Sequence, residues 1–242
     1  MIPLRDNIPS VRRPWAVYLL VAANLGIFAF TLPLDPRQTE ILLHILGVVP
    51  ARFSDPAWAA ASGYPGWGFL SFLTSMFLHG GWMHLGFNMW SLWIFADNVE
   101  DVMGPLRFTV FYLGCGLAAL AAHYAFNLHD TQPVVGASGA IAGVMGAYFL
   151  LYPHAKVVTL IPIIVIPYIV ELPAVLFLGL WFAGQVFSGL WEMGSRHGAG
   201  IAWWAHAGGF VAGMLLMPLF RRQDRCELCW RGERDWRALT RR

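Results

Sequence analysis

The residues of this 242-residue chain best suited to doing chemistry together are a serine, two histidines and an asparagine. Ser138 stands in Gly136-Ala137-Ser138-Gly139, His206 stands in Ala205-His206-Ala207-Gly208-Gly209, and His84 and Asn88 lie four positions apart. A hydroxyl becomes a useful nucleophile when a neighbouring base accepts its proton, and neutral imidazole suits that role near pH 7. The attacked carbonyl becomes an oxyanion, which needs fixed donors in a poorly solvated place. The Asn88 amide, the His84 ring and the backbone N–H of Ser138 are the donors on offer. The chemistry described is acyl transfer. No acidic partner for His206 is apparent, so a Ser–His dyad is expected rather than a triad. Singly, each residue has a bland reading: a small residue at a helix-start turn, or a histidine bonded to a nearby carbonyl. Their joint placement carries the argument.

That placement depends on six apolar stretches, each near the roughly 20 residues a bilayer-spanning helix needs. They cover Trp15 to Leu32, Trp82 to about Val99, Leu106 to Asn127, Ser138 to Tyr152, part of Leu172 to Trp191, and Ile201 to Phe220. The chain is 57% hydrophobic and only 12% charged, about half the charged share of a soluble domain. The expected fold is therefore an all-α membrane protein, a bundle of six transmembrane helices with the bilayer as its solvent. A net charge of +2 gives no ground for a nucleic-acid partner. The first stretch is longer than a signal-peptide core and lacks a small-residue cleavage site, so it is expected to stay as a helix.

Charge sets the orientation. Arg5, Arg12 and Arg13 precede the first stretch, and Arg221, Arg222, Arg225, Arg231, Arg234, Arg237, Arg241 and Arg242 follow the last. Lys/Arg excess marks the cytoplasmic side. Both ends are then expected there, with residues 1–14 as an N-terminal segment, 15–220 as the membrane domain and 221–242 as a solvated basic tail. The opposite loops (34–81, 128–137 and 192–200) hold only Arg37, Arg52 and Arg196. With this orientation the second, fourth and sixth helices all begin at the outer surface. His84, Asn88, Ser138 and His206 then fall within about 10 Å of it, at about 1.5 Å per residue. His84 and Asn88 share one helical face.

The remaining segments are read more plainly. Residues 34–81 are expected to contain interfacial helices. Residues 157–171, interrupted by Pro162 and Pro167, are expected to form a partly embedded connection. Trp15, Trp67, Trp82 and Trp191 fall near proposed interfaces. His44, His123, His129, His154 and His197 fall in loops or at helix ends and read as solvated. Cys115 reads as a packing residue, and the Cys226/Cys229 pair is half a zinc site at most. Gly139 with Gly143, and Gly209 with Gly213, form two GxxxG pairs, which let helices approach closely in lipid. His206, Gly209 and Gly213 share a face, so the close-contact face of the sixth helix also presents the histidine.

The combination H-x-x-x-N (His84, Asn88), G-x-S-G (Gly136 to Gly139) and A-H-x-x-G-x-x-x-G (Ala205 to Gly213), on successive helices in that order, resembles the rhomboid intramembrane protease family. His79 matches a histidine common before the second-helix motif, and Glu100, Gly104 and Arg107 match its E-x-x-x-G-x-x-R, read as a structural tie after the second helix. The resemblance spans roughly residues 15 to 220. It implies a six-helix core and hydrolysis of peptide bonds in or near transmembrane segments of membrane-protein substrates, with no metal or cofactor. It implies Ser138 as nucleophile, His206 as base, His84, Asn88 and the Ser138 amide around the oxyanion, and His79, Gly136, Gly139, Gly209 and Gly213 in support. A bacterial inner membrane is the expected location. Two departures stand out. Ala142 replaces an aromatic that packs on the histidine ring, a gap Trp203 or Trp204 would have to fill, and the first-loop Trp-Arg pair is absent. The rival readings are a proteolytically silent relative that binds or escorts transmembrane clients, and a transporter. A silent relative would lack the serine or the histidine. A transporter commonly carries internal repeats or broken helices at mid-membrane, which this chain does not display.

Overall fold

The computed structural model describes residues 1–66, 68–163, 166–194 and 201–229, and helices dominate it. Trp67, Arg196, His197 and the tail from residue 230 on, with its last five arginines, lie outside the described residues. A short strand, β1 (Ile2–Arg5), leads into α1 (Trp15–Thr31). The long connection then folds into α2 (Pro36–Leu46), α3 (Pro50–Ser54), α4 (Pro56–Ala61) and α5 (Ser71–Thr74). Each of the first three starts on a proline, whose missing N–H is no loss in a first turn. Asp35 and Gln38 close a reciprocal capping box on α2. Helices are therefore present between 34 and 81, where they were expected.

The bundle continues with α6 (Trp82–Met103), α7 (Pro105–Phe126) and α8 (Ser138–Leu151). It ends, after a hairpin, with α9 (Ala174–Gly194) and α10 (Trp203–Phe220). Among the described residues, α7, α9 and α10 are each long and apolar enough to cross a membrane. Helices α1 and α8 are apolar but shorter. Phe30, Leu215 and Leu219 are 84%, 71% and 75% exposed, so the outer surface of the bundle is made of side chains that water would not hold apart.

The connection after α8, expected to be partly embedded, is not helical. It is a β-hairpin, β2 (Lys156–Ile163) and β3 (Ile166–Pro173), to which β1 adds on the other side of β2, all antiparallel. Pro162 and Pro167 face each other across the hairpin. Neither has an N–H to waste, and β1 pairs no further than Leu160, so Pro162 leaves no ladder partner unpaired on that side. The run is rich in Val and Ile, which favour strands.

At this end of the bundle the N-terminal segment is strapped down. Trp15 opens α1 with no side-chain cap of its own. The Glu100 carboxylate of α6 supplies one, accepting from the N–H groups of Ala16 and Val17 at 3.0 and 2.9 Å. A helix start has unsatisfied N–H groups and a positive end, and a carboxylate answers both. Asp101 likewise accepts from the Val11 and Arg12 N–H groups. The Asn98 amide donates to the Ile8 carbonyl, and the Tyr148 hydroxyl donates to Asp6. Glu100 therefore secures α1, whereas Arg107 is exposed. Gly104, at φ +79°, makes the turn from α6 to α7.

The tail is not wholly a solvated appendage. Arg222 N–H donates to the Val102 carbonyl, Arg12 pairs with Glu227, and Cys226 and Cys229 are joined in a disulfide buried against the core. The two cysteines therefore pair with each other. Cys115 is a buried packing residue, as expected, and His123, expected to be solvated, is buried in the last turn of α7.

Two outcomes follow for stability. Glu100→Ala is expected to destabilise the protein by about 2 kcal/mol, since it leaves two buried N–H groups without their charged acceptor; thermal unfolding in detergent measures it. Burial holds the Asp6 carboxyl up at about 6 against its bond from Tyr148, which pulls the other way. Its native pKa thus exceeds the unfolded value of 3.8, so the stability it contributes is full below that value and is lost as pH rises through about 6. Unfolding temperature should fall between pH 4 and 7, and Asp6→Asn should flatten that fall.

Candidate active site

The site is assembled from the starts of three helices. Gly136 sits at φ +120°, a conformation open to glycine and strained for other residues. Its N–H donates to the Ser75 carbonyl at 2.8 Å. A Cβ at this position would lie 2.6 Å from His84 Nε2 and 3.5 Å from Asn88 Nδ2, so the turn is pressed directly against both α6 side chains. Just before it, Val134 and Val48 exchange backbone hydrogen bonds at 2.8 and 3.0 Å, which anchors the loop to the connection between α1 and α6. Ser138 then opens α8, whose N-terminus has no side-chain cap. Its first N–H groups are therefore free to donate toward a ligand, at the positive end of the helix.

Asn88 is buried, and its Nδ2 has no hydrogen-bond partner among the described residues. A buried donor left unpaired is rare enough to need an explanation. Here it lies beside the turn that delivers Ser138. His84 is half-buried, and the His79 ring stands edge-on to it with centroids 5.1 Å apart. His79 is almost fully buried, and that burial, with His84 beside it, pushes its pKa down to about 4. It therefore backs His84 as a neutral ring.

Ser138 Oγ and His206 Nε2 are 2.8 Å apart. This spacing rests on α8 and α10 meeting without side chains between them. A Cβ on Gly209 would land on the Gly139 carbonyl, and one on Gly213 would land on the Gly143 carbonyl. A Cβ on Gly139 would come 2.7 Å from the Ala119 Cβ of α7, so small residues line the contact on that side too. Both GxxxG pairs are thus used, each against the other.

The structure also brings in a helix that the motifs leave out. Gln185 of α9 places its Oε1 2.8 Å from His206 Nδ1. It is the single amide in the fifth apolar stretch, and an amide inside a membrane segment is itself a signal of purpose. Aromatic rings flank the histidine although Ala142 does not supply one. Trp181 lies 6.0 Å from the His206 ring and Trp203 lies 6.4 Å away, perpendicular to it. Trp204 instead stacks on Phe126. Ser138, His206 and His84 are each partly exposed, so the centre is open to a reactant. Among the described residues no group of three or more His, Cys, Asp or Glu side chains is arranged to hold a metal ion.

Comparison with known proteins gives a consistent pattern. The Rhomboid domain matches residues 66–223, more than half of the chain. The chain is 42% identical over 142 residues to the rhomboid protease GluP of Bacillus subtilis, covering 58% of this chain and 25% of that protein. It is 34% identical over 92 residues to rhomboid protein 1, mitochondrial, of Saccharomyces cerevisiae, covering 36% of this chain and 27% of that one. With the putative rhomboid protease YdcA of Bacillus subtilis it shares 37% identity over 83 residues, covering 33% and 39% respectively. The chain therefore spans between about a quarter and two fifths of these relatives' lengths.

The glycine contact gives a direct expectation. Gly213→Ala should lower stability by about 1–3 kcal/mol, as overpacking does. Gly26→Ala in α1, where a Cβ meets nothing within 4 Å, should instead raise it by about 0.5–1 kcal/mol, as replacing a helix-interior glycine does. Thermal unfolding of the two variants side by side checks the contrast.

Proposed function

The chain belongs to the rhomboid family, an all-α membrane fold, and on that footing we propose that it is an intramembrane serine endopeptidase acting on transmembrane protein substrates. The observation that carries the reading is the 2.8 Å spacing of Ser138 Oγ and His206 Nε2 across the apposed starts of α8 and α10. His206 Nε2 takes the hydroxyl proton as Ser138 Oγ attacks the scissile carbonyl carbon. The resulting oxyanion is met by the Ser138 N–H at the uncapped start of α8, by the otherwise unpartnered Asn88 Nδ2, and by His84. His206 then gives its proton to the leaving amine nitrogen, the C–N bond breaks, and an ester on Ser138 remains. Water attacks that ester with His206 again as base and restores the hydroxyl. Gly136, Gly139, Gly209 and Gly213 set the spacing, and His79 backs His84.

A helical substrate segment keeps its carbonyls hydrogen-bonded and flanked by side chains, so the bond cut must lie where that helix is weak or frayed. The protein is integral to a membrane, as its apolar helices and its family indicate. We place it in a bacterial inner membrane, with residues 15–220 as the membrane domain, and with residues 1–14 and the tail 221–242 on the cytoplasmic side, since both are rich in arginine.

The test is cleavage of a single-span model substrate by purified protein in detergent. Ser138→Ala and His206→Ala should each lose at least about a thousandfold in rate. A fluorophosphonate probe should label Ser138 in the wild type and fail to label His206→Ala. Equal cleavage by wild type and Ser138→Ala would end the reading. Cleavage by neither would favour a silent protein that binds transmembrane clients.

A further inference from the structure

The histidine ring is addressed from both sides, and the motif residues account for only one of them. Its Nε2 faces Ser138 Oγ, and its Nδ1 faces Gln185 Oε1, each at 2.8 Å. The orientation of the amide is fixed within α9. Gln185 Nε2 points at the Trp181 carbonyl one turn earlier, at 3.4 Å, and a carbonyl can only accept. The flipped amide would set oxygen against oxygen there. Gln185 Oε1 is therefore the group facing the ring, and because it too only accepts, Nδ1 must carry the proton. The tautomer follows: Nε2 is left with its lone pair, and the Ser138 hydroxyl donates to it.

We infer that Gln185 is a positioning residue that holds His206 in the Nδ1–H tautomer, completing a Ser138–His206–Gln185 chain across α8, α10 and α9. The inference rests on the proposed protease reading. Trp181 shares a face with Gln185, being four residues away, and its ring lies 6.0 Å from that of His206. One helix thus supplies both an aromatic wall and a hydrogen-bond acceptor to the histidine. Among the described residues, the other titratable groups near enough to act on the ring by charge are His84 of α6 and His123 of α7, neither of them a carboxylate. A neutral amide suits the setting, because the half-buried Gln185 need offer the Nδ1–H only an acceptor. It orients the base without adding charge. Without it, Nε2–H would become available, and a protonated Nε2 cannot accept from the serine.

The experiment uses the full chain in detergent or bicelles and reads two quantities. The first is turnover of the single-span substrate. Gln185→Leu and Gln185→Met should lower kcat by about 10- to 100-fold, a part of what a misdirected histidine loses, with KM little changed. Gln185→Glu, which keeps the acceptor, should recover most of kcat. The second is the tautomer of His206, from 15N-histidine chemical shifts assigned with His206→Ala. Nδ1–H should dominate in the wild type and in Gln185→Glu, and give way to a mixture or to Nε2–H in Gln185→Leu. Unchanged kcat in both apolar variants, or an unaltered Nδ1–H signal in Gln185→Leu, would overturn the inference. If Ser138→Ala cleaves like the wild type, the protease reading fails instead, and the tautomer measurement still decides the role of Gln185.

Discussion

Everything at this site hangs on two missing side chains. The backbone carbonyls of Gly139 and Gly143 occupy the space where β-carbons of Gly209 and Gly213 would be. In a bilayer, apolar helix faces gain little from each other that lipid does not already provide, so close backbone packing is a main source of helix association. The same contact sets the separation of the serine and histidine side chains. A hydrogen bond tolerates a few tenths of an ångström, whereas a single added carbon projects about 1.5 Å. Stability and site geometry therefore have a common origin in α8 and α10.

The opposite end of the bundle solves a different problem, that of the unpaired backbone amides before and at a helix start. There α6 spends its acidic residues on the backbone of the N-terminal segment: Glu100 on the start of α1, and Asp101 on Val11 and Arg12. The start of the same helix carries His84 and Asn88. One 22-residue rod thus joins the polar group beside Ser138 to the polar clamp at the far side. The disulfide-closed turn at Cys226 and Cys229 and the Arg12–Glu227 pair bring the end of α10 to this clamp as well.

The helices were legible in the sequence because their signal is local. A run of apolar residues ending at a charge or proline gives its own limits, and the six expected stretches differ from α1, α6, α7, α8, α9 and α10 by only a few residues. The grouping of Ser138, His206, His84 and Asn88 was legible for a related reason: position along a spanning helix is also depth. What stayed hidden depends on pairings between distant residues. The apolar run after α8, broken by Pro162 and Pro167, has the composition of a membrane segment, and nothing local shows that Ile2 pairs with Leu160. Glu100 matched a motif, yet its partners lie more than eighty positions earlier. Gln185 was visible as an odd polar residue in α9, but its facing His206 depends on how two helices rotate about their own axes. An apolar pattern exposed to lipid on several sides does not fix that rotation.

The strap on the N-terminal segment has a bearing on how the protein is made. Residues 2–5 leave the ribosome well before their strand partner, β2, which is synthesised only after α8, and the acids that receive Val11, Arg12, Ala16 and Val17 arrive with the end of α6. The opening helix must therefore enter the bilayer with its leading amides bare, and wait. Its settled state waits on segments made later, and one clasp, Arg12 to Glu227, closes only after α10 has been made. Such long-range closure is slow by nature, so a segment made before α6 finds its place only after the helices that follow it.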